Sequence, residues 1–411
     1  MAAPNFDEIK PKLNNDVEIH KVSDDEYVLY QTKLNHQIRV NKLTVDLLSM
    51  TNGQITISEL SDNISEITGR SVDQVTVYEL LYGTLFKNGL IDNNPDARFR
   101  SSSNYLSLRF ILIPKRVVNL ISSKFSFVFI GTRFFNWSIL CLLVLLITNT
   151  FIFFQDILQA RQETHIDEMV ILYFFLFGFF ICLVHEIGHA SALKFYKKNA
   201  GDIGVGFYLF YPVFYCDVSE AWFLRKQNRV VVNLGGIYFE LIISAIFIII
   251  FQFTDTIIYA WLSSIILFRT ILNLNPFLRR DGYWILSDIT NIPSLQEDSI
   301  KHVKKTVSSL FKSQATRLDF RPFIFLYGVL SASFIVLFIL FMVIFNSSSI
   351  INFPISFWDF IIDSTNHEFT LTYFLTILKK FGLSFLFYYL LFKFMINFFK
   401  SKFISSPYPT S

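Results

Sequence analysis

Apolar and polar positions divide this chain into an amphipathic front and a long apolar rear. Between about residues 16 and 95 the apolar residues alternate in short runs or recur with helical spacing. Tyr27–Gln31 and Gln37–Val40 read as strands around the polar turn Leu34-Asn35-His36. Helical periods follow at Lys42–Met50, Ile57–Thr68 and Val72–Lys87, with Gly53 and Gly69 as punctuation and Ser71 as the expected N-cap of the third. Strands followed by three short helices predict a small α+β, winged-helix-like domain over residues 1–100. From 101 to 133 the run Tyr105–Ile113, flanked by Lys115, Arg116 and Lys124, predicts a linker and a helix lying on a headgroup layer.

Behind it come six apolar segments, each near the length a bilayer core requires: Phe134–Phe154, Met169–Leu193, Val230–Phe253, Ile257–Pro276, Pro322–Phe345 and Phe381–Phe399. The expected fold class is therefore an all-α polytopic membrane protein of about six transmembrane helices with the small α+β domain in front. Residues 134–290 form its core, 291–321 a cytosolic segment, and 322–411 the last helices and tail.

Composition and charge support that division. The chain is 52% hydrophobic with 49 Phe, a mean hydropathy of +0.44 and only 17% charged residues, too apolar for an ordinary soluble protein. The first hundred residues carry 15 acidic and 10 basic side chains; the rest carry 18 and 26. Loops 194–229 and 277–321 are rich in Lys and Arg, whereas 346–370 has none, which orients both termini toward the cytosol of a multi-pass cell-membrane protein. Lys379 and Lys380 at the outer edge of the last segment fit this less well. The polar, acidic N-terminal stretch does not read as a cleavable signal peptide. No basic run suits nucleic acid, so the lipid bilayer is the partner that composition implies. Cys141, Cys182 and Cys216 are widely spaced and suggest neither a disulfide scaffold nor a thiolate metal site.

Candidate chemistry lies in the second apolar segment, where His185-Glu186-Ile187-Gly188-His189 follows about sixteen uncharged residues. Histidines at i and i+4 share one helix face and can hold one zinc ion, with Glu186 between them as general base. Three ionisable groups within five residues of a membrane segment are costly unless they have a use. Two histidines leave a zinc site short of a ligand. His20 and His36 lie in the front domain, His165 and His367 in outer loops, and His302 in a cytosolic segment. A carboxylate is the better third ligand. Asp281, in Asn275-Pro276-Phe277-Leu278-Arg279-Arg280-Asp281-Gly282, stands on the same membrane side, next to a helix break of the kind tolerated around a cavity. The bland alternative pairs Asp281 with Arg279 or Arg280. Glu240 is the rival ligand, although a Glu240–Arg269 pair would satisfy both buried charges.

HEIGH on a membrane helix, followed by NPFLRRDGYW, resembles the site-2 protease family of intramembrane zinc metalloproteases over about residues 130–290. Its four residues between NP and DG, where the family usually has two, resemble the branch of peptide zinc metalloproteases. The resemblance implies Zn2+ held by His185, His189 and Asp281, Glu186 as the base, and Asn275 holding substrate backbone; Asn275 is otherwise a helix-end cap. Asn233-Leu234-Gly235-Gly236 resembles the family's glycine-containing segment on the next core helix, and Gly204–Tyr211 its β-forming stretch that pairs with unwound substrate. The front domain resembles, more loosely, PqqD-like domains that bind leader peptides. The implied activity is cleavage of a membrane-associated or ribosomally made peptide, as in peptide maturation, with a membrane protein or peptide as substrate. The competing reading is a non-catalytic membrane scaffold for peptide maturation, export or immunity, to which an intact Glu186 runs counter.

Overall fold

The computed structural model describes residues 5–34, 36–91, 106–156, 158, 168–208, 211–310, 321–345 and 347–364, with scattered positions from 373 to 396. Its chain forms two compact units: residues 1–132, 189–206 and 215–232 in one, and 133–188, 207–214 and 233–411 in the other.

The first unit opens with an antiparallel meander, β1 (Val17–Lys21), β2 (Glu26–Gln31) and β3 (His36–Asn41), followed by α1 (Lys42–Met50), α2 (Ile57–Thr68) and α3 (Gln74–Tyr78). β2 and β3 and the first two helices fall where the pattern places them. β1 was not expected, because its residues are mostly exposed and carry no alternation strong enough to read. The third helix is capped by Asp73, whose side chain accepts from Thr76 N, and not by Ser71. It continues as a π-helical turn, Glu79–Leu85, and a 3₁₀ turn, Phe86–Asn88.

Apolar periodicity explains the packing. Ile57, Leu60 and Ile64 on α2, and Val77, Leu81 and Leu85 along α3 and its extension, converge on Leu29, Leu47, Leu48, Leu90 and Ile91. Thr56 and Glu59 form a reciprocal capping box at the start of α2, and Gly69 ends it in the left-handed conformation.

The other face of the sheet is also covered. Val28, pointing away from Leu29, is fully buried. Across this face lies a 3₁₀ turn, Ser219–Phe223, whose Phe223 packs on His20 and Tyr30. Arg39 of β3 pairs with Glu26 and donates to the carbonyls of Trp222 and Leu224, at 2.7 and 3.2 Å.

Residues 106–113 correct one expectation. They form strand β4 (Leu106–Ile113), not an interfacial helix; the helix α4 (Lys115–Phe125) begins only after Pro114. Proline disfavours helix in the residue before it, and every second residue of β4 alternates across a pleat. β4 joins β5 (Ile203–Tyr208) and β6 (Tyr211–Cys216) in the order β4-β5-β6. The stretch expected to form β structure thus does so at its described positions; Leu209 and Phe210 lie outside them.

The remaining long helices are α5 (Thr132–Ile152), α6 (Glu168–Phe195), α7 (Lys226–Thr254), α8 (Ile257–Asn273), α9 (Asp281–Thr290), α10 (Leu295–Leu310) and α11 (Pro322–Phe345), followed by α12 (Ser347–Ile351) and α13 (Phe353–Ser364). Among the described residues four helices are long and apolar enough to cross a membrane: those at Arg133–Ile152, Leu172–Phe195, Lys226–Thr254 and Pro322–Phe345. The expected count of about six is larger. The segment predicted at Ile257–Pro276 is the apolar helix α8 of 17 residues, cut short by the break before Pro276. Much of Phe381–Phe399 lies outside the described residues.

Candidate metal centre

The site is assembled from α6, α7, α8 and the start of α9. His185, Glu186 and His189 lie in the second half of α6, and all three are buried. Gly188, between them, is required by a close approach: a Cβ there would run into the Gly235 carbonyl and press on Gly236. HEIGH and Asn233-Leu234-Gly235-Gly236 therefore pack glycine against glycine, which brings α6 and α7 together at the level of the histidines.

Asp281 arrives from nearly a hundred residues away. α8 ends at Asn273, the chain turns through Asn275–Arg280, and Asp281 is the first residue of α9, where the helix N-terminus favours a carboxylate. The turn is tightly held. Asn275 Oδ1 accepts from Phe277 N at 2.9 Å, Tyr327 Oη donates to the Pro276 carbonyl at 2.8 Å, and Gly282 leaves no room for a Cβ against Leu274. The neighbouring arginines are engaged elsewhere: Arg280 donates to Asn273 Oδ1 at 2.9 Å, and Arg279 to Glu297 Oε1 at 3.0 Å. α9 is tied down at its far end as well, where Asn233 Nδ2 donates to Asp288 Oδ2 at 2.7 Å.

Ligand-type atoms of His185, His189 and Asp281 all lie within 4.8 Å of one another, so this group could hold a metal ion. His185 Nε2 stands 3.0 Å from Asp281 Oδ2. That separation suits two ligands of one tetrahedral ion, roughly 3.3 Å apart when each bond is roughly 2.0–2.1 Å. Two imidazoles and one carboxylate are a zinc donor set that leaves a fourth position open.

The opposite ring nitrogens of the two histidines face different partners. His189 Nδ1 is 2.8 Å from the Val232 carbonyl, which accepts only from N–H and so leaves Nε2 as the ligand atom. His185 Nδ1 is 3.1 Å from Oε1 of Glu240, a fully buried carboxylate. The expected Glu240–Arg269 pair is present, with Arg269 Nη2 at 2.8 Å from that same oxygen. Arg269 Nη2 also lies 3.6 Å from Cys182 Sγ.

Sequence reasoning reached His185, Glu186, His189 and Asp281, and the structure brings the two histidines and Asp281 into one cluster with Glu186 on the turn between them. Asn275 is a turn-forming residue beside it. The Glu240–His185 contact and the Asn233–Asp288 tether were missed. An ionisable residue in mid-span was the available signal for Glu240; nothing in the sequence pointed to Asp288.

Over 210 residues the chain is 28% identical to the Putative peptide zinc metalloprotease protein YydH of Bacillus subtilis (strain 168), a match covering 50% of this chain and 79% of that protein. No protein-family model and no solved structure matches the chain.

Proposed function

We propose that the protein is an intramembrane zinc metalloprotease of the site-2 protease type that cleaves a membrane-associated or ribosomally made peptide. The observation that carries this reading is the meeting of Asp281 with the two HEIGH histidines, from two distant stretches of chain, at a buried place that also holds Glu186. The name of the Bacillus subtilis relative supports a zinc-dependent protease in general.

Zinc, when bound by His185, His189 and Asp281, supplies Lewis acidity to the scissile carbonyl and to the attacking water. Glu186 takes the proton of that water and delivers it to the leaving amine. The Val232 carbonyl holds the His189 ring in the tautomer that offers Nε2. In this reading Asn275 holds substrate backbone with its amide nitrogen, while its oxygen keeps the turn that delivers Asp281. A substrate must present extended chain, since a peptide bond sealed in helical hydrogen bonds is inaccessible. β6, at one edge of the β4-β5-β6 sheet, offers backbone for such a chain to pair with. The N-terminal domain, with its own edge strands, is the part suited to capturing a leader peptide. In this reading the protein sits in the cell membrane as a multi-pass protein with cytosolic termini.

The test is zinc content of detergent-purified protein together with cleavage of a fluorogenic peptide library. Wild type should carry about one zinc per chain, His185→Ala and Asp281→Ala should lose it, and Glu186→Gln should keep zinc but not cleave. Full zinc in Asp281→Ala, or normal cleavage by Glu186→Gln, overturns the reading.

A further inference from the structure

Glu240 is the most completely buried acidic group described in the chain, with no exposed surface, and it sits midway along an apolar helix. A carboxylate in such a place needs a reason, because burying its charge is costly before any partner is counted. One partner is Arg269. An ion pair alone would explain both charges as a structural bridge between α7 and α8, but such a bridge is a weak reason for two charges in an apolar interior, since well-packed apolar residues often replace it without loss.

The geometry contains more than a bridge. A single oxygen, Oε1, faces Arg269 Nη2 at 2.8 Å, Arg269 Nε at 3.3 Å and His185 Nδ1 at 3.1 Å. His185 Nε2, on the far side of the same ring, faces Asp281. The four side chains therefore form one line, Arg269–Glu240–His185–Asp281, running from α8 through α7 and α6 to the start of α9.

We propose that Glu240 is the positioning residue of the metal centre, with Arg269 as its counter-ion. Its charge, set 3.1 Å from His185 Nδ1, favours the tautomer with the proton on that nitrogen, restrains the ring's rotation, and increases the electron density at Nε2, the atom offered to the metal. Arg269 cancels the charge of Glu240, so the buried assembly gains the carboxylate's orienting effect without a net negative charge beside the ligands. The two histidines are thereby held unequally: His189 by the neutral Val232 carbonyl, His185 by a full charge. His185 is then the stronger donor. This inference rests on the metal-site reading above and adds to it a role that neither the motif nor its resemblance assigns.

The experiment separates positioning from structure by removing the two charges together. Glu240→Met with Arg269→Met keeps volume and leaves no uncompensated ion. Zinc affinity is measured by chelator competition on the purified full chain, thermal stability alongside, and the cobalt-substituted forms are compared by visible absorption. A positioning role predicts that the double variant melts near wild type, binds zinc about 10–100-fold more weakly, the range for loss of a group supporting a metal ligand, and shows shifted cobalt bands. Wild-type affinity and an unchanged cobalt spectrum in the double variant would reduce Glu240 to half of a structural bridge and overturn the proposal. If the double variant does not accumulate, Glu240→Gln decides: about tenfold weaker zinc binding with shifted cobalt bands supports the role, and unchanged affinity removes it. Absence of zinc from wild type is a different failure, because it removes the metal-site reading and this inference with it.

Discussion

The N-terminal domain and the metal centre are held together in opposite ways. The domain's interior is an apolar cluster from Leu29 to Ile91 in which many side chains contribute similar, non-directional amounts. At the metal centre the buried groups are His185, Glu186, His189 and Glu240, with His189 held by the Val232 carbonyl, Glu240 by Arg269, and the helices by one glycine-on-glycine crossing. The first kind of interior tolerates substitution with graded losses. In the second, each position has one acceptable chemistry, and a change there shows in metal binding or turnover before it shows in folding.

The sharpest break in that comparison is Glu186→Gln. It should leave zinc content and melting temperature unchanged while lowering cleavage about 10²–10⁴-fold, the usual contribution of a general base; equal losses of turnover and stability would erase the contrast. Leu60→Ala approaches from the other side. Removing a fully buried leucine should cost the N-terminal domain about 2–5 kcal/mol, measured by thermal unfolding, with zinc still bound. Gly188→Ala combines the two behaviours. Its Cβ would collide with backbone and not with a yielding side chain, so a loss of about 1–3 kcal/mol is expected together with weaker zinc binding. Thr56→Ala opens the capping box of α2 and should cost about 1 kcal/mol without touching the metal.

The smallest effect is alkaline. Tyr196, just past the end of α6, has its phenol pushed up to about 12 by burial. As pH rises through 10, the unfolded chain gives up this proton before the folded one does, so stability falls between about 10 and 12. Tyr196→Phe should flatten that part of a melting-temperature profile. An unaltered alkaline slope would mean that the phenol is as well solvated folded as unfolded.

Much of the N-terminal domain was legible because its signals are local: alternation marks β2 and β3, and the spacing of Ile57, Leu60 and Ile64 marks α2. β1 escaped because its alternation, Val17 and Ile19 against Glu18 and His20, is too short to read; it exists through pairing with β2. β4 was misread for a related reason. A mostly apolar run such as Leu106–Ile113, broken only by Ser107 and Arg109, satisfies helix and strand alike, and its partner β5 lies about ninety residues further along. At the metal centre, HEIGH is legible since helix geometry alone aligns its histidines. The Glu240–Arg269 pair followed from the cost of burying charge. Its link to His185 did not, because helix period gives depth along a span but not the rotation of one helix against another.

What the sequence by itself determined was the set of chemically committed residues: two histidines one helical turn apart, a carboxylate between them, an aspartate at a helix break and ionisable groups in apolar helices. These are local facts of periodicity and charge. Only the tertiary structure decided which of them meet. It seats Asp281 against His185 by closing a turn that Gly282, Asn275 and Tyr327 hold, sets α6 on α7 through Gly188 and Gly235, and turns Glu240 toward the ligand ring. Distances of about 3 Å between atoms far apart in the chain depend on packing and on the rotation of neighbouring helices, and no local pattern encodes either.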